Sequence, residues 1–106
     1  MAASSLGPGS VVVAYIQNPR ERFWGMVRSL DPTGVVLEGI DLNSFDDWVR
    51  QVADGGDGLS LSTVFIPLLR VEKLLLDTEC GSAPSLSVQF ERRVGQTVLE
   101  YLGWKG

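Results

Sequence analysis

Apolar residues follow two different rhythms along this chain. From Val11 to Leu76 they come in short runs rich in β-branched and aromatic residues, broken by Pro, Gly, Asn and Asp, the grammar of a small β-sheet. Strands are predicted at Val11–Gln17, about Arg20–Leu30, Val35–Ile40, Leu59–Ile66 and Leu68–Leu76. Asn18-Pro19 marks the first turn. Asp31-Pro32-Thr33-Gly34 marks the second, with Asp first, Pro second and Gly last as a type I turn prefers. Pro67 has no N–H for a ladder, so a sharp turn belongs there. Gly25 and Gly39, inside strands, point to tight bends or close approach of backbones.

Two segments keep helical time instead. Phe45, Trp48, Val49 and Val52 fall at i, i+3, i+4 and i+7, after Ser44 as a cap and with Asp46 and Asp47 in the first turn. The helix spans about residues 44–53 and ends at the Asp54-Gly-Gly-Asp-Gly58 loop. Leu86, Phe90, Val94, Val98 and Leu102 recur every fourth residue. They predict one helix from a Ser85 or Ser87 cap to about Leu102, stopped by Gly103. Residues 1–10 are small and Gly/Pro/Ser-rich, which predicts a disordered or loosely draped segment. The chain therefore divides into that segment, a β-domain over 11–77 with its helical insert, and a loop plus helix over 78–106.

At 106 residues the chain fits one domain, and 44% hydrophobic against 21% charged residues is a globular balance. It contains no histidine and one cysteine, Cys80. Imidazole bases, Cys/His zinc sites and internal disulfides are thereby excluded. Neither Lys73 nor Lys105 sits in a nucleophile motif, and no Gly-rich loop leads from a strand into a helix. The expectation is a non-enzymatic protein without a cofactor. The acidic insert lacks calcium-loop spacing, so no metal is expected. No apolar run reaches the roughly 20 residues of a membrane span, and the start lacks the pattern of a secretory signal. A cytoplasmic location is the expectation.

The net charge is −4, unevenly spread: +2 over residues 1–30, −6 over 31–60 and neutral beyond. Bulk attraction to nucleic acid is excluded, but a local basic patch is not. Arg20, Arg22 and Arg28 alternate on one strand face with Trp24. Guanidinium groups beside an aromatic ring make an RNA-binding candidate. Set against it is a second reading, in which the arginines pair with local carboxylates and Trp24 packs under the terminal helix.

The string Val11-Val-Val-Ala-Tyr-Ile16, Arg22-Phe-Trp-Gly25-Met-Val-Arg-Ser-Leu-Asp31 and Val35-Val-Leu37 resembles the first motif of Sm-like proteins. There, too, a bending glycine precedes a turn aspartate by six residues. The insert before the fourth strand and the minimal turn after it are also similar. The resemblance covers roughly residues 9–77. It implies a strongly bent, five-stranded antiparallel Sm-like barrel, and ring assembly through the outer strands. A barrel of SH3 type is the alternative architecture for the same strands. The family's RNA pocket does not carry over. Gly34-Val35 stands where an asparagine belongs, and Ile66-Pro67-Leu68 replaces a basic pair.

The function expected is a binding or assembly module, self-associating into a homo-oligomer through unblunted apolar edges. Interface candidates are Val64, Ile66, Leu69, Val71 and Leu75 on the outer strands, with Phe90 and Val94 on the helix. Two alternatives remain at this stage: an RNA-binding ring using Arg20, Arg22, Trp24 and Arg28, and a monomeric protein-interaction domain whose helix covers the open edge.

Overall fold

In a computed structural model of the chain, the structure describes residues 6–56, 60–78 and 83–104. Cys80 and Lys105 lie outside the described residues, as do Asp57, Gly58 and Leu59. Five antiparallel strands form one sheet: β1 (Val11–Ile16), β2 (Glu21–Asp31), β3 (Gly34–Asp41), β4 (Ser62–Pro67) and β5 (Val71–Leu76). Their order is β4-β3-β2-β1-β5, which leaves β4 and β5 as the two edges. The sheet is thus open, with β4 and β5 not hydrogen-bonded to each other, where the sequence predicts a strongly bent five-stranded barrel. The β-rich class and the three-strand meander stand as expected.

Alternation along the strands sorts the side chains into two cores, one on each face. Val12, Ala14 and Ile16 of β1 join Val27, Val35, Leu37 and Ile66 in the first core, with Val64, Val71 and Leu74 packed against them. All five strands feed this cluster, so the sheet curls enough for both edges to reach it. The second core holds Trp24, Ile40, Phe45, Trp48, Val49, Phe90 and Val98, under the helices. A two-sided sheet of this kind explains why β2 is apolar on both faces at its centre.

Curling brings two backbones unusually close. Gly25 of β2 lies opposite Gly39 of β3. A Cβ on Gly39 would stand 1.9 Å from the Trp24 carbonyl oxygen, and one on Gly25 would stand 2.6 Å from that of Glu38. Only glycine fits either position.

The helical segments are α1 (Phe45–Ala53), α2 (Leu86–Val94) and α3 (Val98–Leu102). Ser44 does not cap α1 through its side chain. A single 3₁₀ turn, Leu42–Ser44, precedes it instead, and Asp41 caps that turn by accepting from the Asn43 N–H. Ser85 caps α2 as expected, accepting from the Val88 N–H at 3.1 Å. The single terminal helix, however, is two. Gly95 adopts φ 94° at the end of α2, and Thr97 with Glu100 closes a capping box that starts α3. Both signals are local and override an unbroken four-residue rhythm. Gly103, at φ 72°, ends α3.

The short turn after Pro67 is a 3₁₀ turn, Leu68–Arg70, so β5 starts at Val71. Of the segment 1–10, the described residues are tied down. The Gly9 N–H donates to the Val27 carbonyl and the Val27 N–H to that of Ser10, both at 2.8 Å. Residues 1–5 lie outside the described set. No described helix is long and apolar enough to cross a membrane.

Candidate functional site

The four residues of the basic strand face do not form one surface. Trp24 is fully buried, with its ring 4.9 Å from Phe45 and 5.5 Å from Trp48 by centroid. Its Nε1–H donates to Asp77 at 3.1 Å. No base can stack on it in this position: it lies in one core with Phe45 and Trp48 of α1, Phe90 of α2 and Val98 of α3. Arg28 is taken up as well. Its guanidinium pairs with Glu38, with Nε donating at 2.8 Å, and sits 5.7 Å from the centre of the Trp104 ring. A register shift between Val27 and Ser29 falls at this residue, which separates it from the regular face of β2.

Arg20 and Arg22 remain exposed at the start of β2. They border a cleft of about 500 Å³ together with Tyr15 and Ile16 of β1, Lys73 of β5 and the 3₁₀ turn at Asn43. Tyr15 lies directly opposite Arg22 on one side and Lys73 on the other. Directly opposed residues in an antiparallel sheet share a face, so cation, phenol and cation stand in one row. Lys73 Nζ lies 4.9 Å from the Tyr15 ring centre. Sequence reasoning missed Tyr15 and Lys73 because pairing across strands 58 residues apart is a property of register, not of local pattern.

The turn aspartate does what its position calls for. Asp31 Oδ1 accepts from both the Thr33 N–H at 2.8 Å and the Thr33 hydroxyl at 2.6 Å. These bonds favour the ionised form and hold the carboxyl below its ordinary range. This turn abuts the one after β4, where the Leu68 N–H donates to the Thr33 carbonyl at 3.1 Å. The two turns together present Pro32, Leu68 and Leu69, with Leu69 90% exposed, while the one cation of the second turn, Arg70, is bound to the Gln17 and Pro19 carbonyls and to Glu21.

The interface candidates divide by alternation. Leu69 and Leu75 are exposed. Ile66 is buried in the first core, against which Val64 and Val71 pack. Phe90 is fully buried in the second, against which Val94 packs. Phe90 stacks on Trp48 at 5.0 Å and meets Tyr101 edge-on at 5.4 Å. The helix stripe therefore covers the chain's own sheet. The exposed apolar side chains of the edges include Phe65 on β4, which alternation places opposite the inward Val64 and Ile66, and Leu76 at the end of β5.

Among the described residues no cluster of carboxylates or Cys is arranged to hold a metal ion. Comparisons with protein-family models, with curated proteins and with solved structures returned no match.

Proposed function

We propose that this chain is a non-enzymatic assembly module of Sm-like type, which forms a homo-oligomer by pairing β4 of one copy with β5 of the next. Repetition of a head-to-tail contact closes a ring when the rotation per copy divides a full turn. The observation that carries the reading is the pair of open edges. Both are six-residue strands of one sheet, and each shows apolar side chains at its rim: Phe65 is 56% exposed, Leu75 44% and Leu76 46%. Unpaired, flat, apolar edges attract other strands. The strand order and the Gly25–Asp31 spacing support the Sm-like assignment, and the absence of histidine from the sequence supports a non-enzymatic role.

Native mass spectrometry tests this directly. A closed oligomer is expected for the wild type, and monomers for Phe65→Glu and for Leu76→Lys, each with an unchanged circular dichroism spectrum. Both positions are exposed, whereas a lysine at Val71 would enter the first core and disturb folding. A wild-type protein that stays monomeric at every concentration tested overturns the assembly and leaves the monomeric interaction domain.

A further inference from the structure

We propose that the Tyr15 cleft binds an organic phosphate of nucleotide size, either a free nucleotide or one unit of a single-stranded RNA. The inference rests on the protomer alone and does not need the ring. Three cations, Arg20, Arg22 and Lys73, border the cleft. Among the described residues none of the three makes an ion pair with a carboxylate, whereas of the three neighbouring acids one is ion-paired and one accepts a backbone hydrogen bond. Glu21 pairs with Arg70 at 3.4 Å, and Asp41 accepts from the Asn43 N–H at 2.8 Å. Arg70 is itself fixed by donating to the Gln17 and Pro19 carbonyls. Glu72 is the remaining carboxylate at the rim, beside the irregularity in register between Tyr15 and Ile16.

With Glu21 offset by Arg70, three cations face the two carboxylates Asp41 and Glu72, which leaves the cleft one charge positive in a protein of net charge −4. Guanidinium groups match phosphate oxygens in pairs, and an ammonium adds a mobile point charge. The volume sets the class of ligand. About 500 Å³ is far more than an inorganic anion fills and lies within the range of small-molecule sites. The ring of Tyr15 supplies an apolar surface for the organic portion. Tyr15 shares its strand face with Val11 and Val13, which pack under the helices. The cleft is the part of that face the helices leave open.

The test is a titration of ¹⁵N-labelled protein, followed by amide shifts, with adenosine monophosphate, adenosine, inorganic phosphate and a short oligoadenylate. Adenosine monophosphate is expected to bind more tightly than about 1 mM and to shift Tyr15, Arg22 and Lys73. The double variant Arg22→Ala/Lys73→Ala should weaken it by about tenfold or more. The control Arg92→Ala/Arg93→Ala, which removes two exposed cations from α2, should leave it unchanged. Oligoadenylate binding roughly tenfold tighter at the same amides, with a steep salt dependence, assigns the ligand to RNA; equal affinities assign it to the free nucleotide. The proposal is overturned by weaker binding than 1 mM to both, by shifts centred elsewhere, by equal binding of inorganic phosphate, or by an equal loss in the α2 control.

Discussion

Trp24 and Asp77 are joined across 53 residues of sequence by a single hydrogen bond, the indole Nε1–H donating to Oδ2 at 3.1 Å. The same carboxylate accepts from the Leu86 N–H at 2.9 Å, and from the Ser87 N–H and hydroxyl at 2.7 Å each. Asp77 thus ties the centre of β2 to the first turn of α2. An anion is well placed there, at the positive end of the helix.

Replacing Asp77 with alanine strands a buried indole N–H and several helix-end donors. A loss of about 2–4 kcal/mol is expected, measured by urea unfolding. Asp77→Asn keeps an acceptor and should lose less. Equal stability of Asp77→Ala and wild type would show that α2 docks through its apolar stripe alone.

Glycine 39 is the second critical point. Gly39→Ala places a methyl 1.9 Å from a backbone oxygen, which no rotamer can relieve. The cost should exceed about 3 kcal/mol, or prevent folding. Gly56→Ala is the contrast. Its new Cβ would meet nothing closer than 3.5 Å, and its backbone lies outside the left-handed region, so a neutral change or a gain of up to about 1 kcal/mol is expected.

The break between α2 and α3 makes a third case. Thr97→Ala removes the acceptor for the Glu100 N–H, now at 3.1 Å, and should cost about 1 kcal/mol. Gly95→Ala forces an alanine into φ 94° and should cost about 1–2 kcal/mol. Hydrogen exchange would show both as faster opening of 98–102 than of β2.

The turn at Asp31 carries a pH dependence of known sign. Its carboxyl is held low by the Thr33 hydroxyl first and the Thr33 N–H second. A lowered pKa means the contribution to stability is complete above the unfolded value and is lost as pH falls through the folded one. Carboxyl NMR should place Asp31 below the ordinary aspartate range, and Thr33→Val should move it upward. No movement would assign the shift to the backbone bond.

Much of the fold was legible because its determinants are local. The five strands follow from β-branched runs between breakers, and the Asp31–Gly34 turn and the Ser85 cap from single residues with fixed roles. Even the break at Gly95 was written locally, though the regular recurrence of Leu86 through Leu102 conceals it. Both helices lay their apolar stripe on the same core, so the rhythm continues across the break. The site was less legible. Trp24 looked like a stacking platform because alternation gives a face without saying what lies on top of it. Tyr15 and Lys73 became neighbours only when β5 added to the far side of β1.

A sheet with a core on each side has no broad wet face left for recognition. Substitutions in the middle of β2 or β3 are therefore read out almost wholly as folding defects. What this molecule meets, it meets along its outline: two free margins, the leucine-bearing tip between them, and one uncovered corner. Natural variation that alters its choice of associates without harming its folding should accumulate along that perimeter.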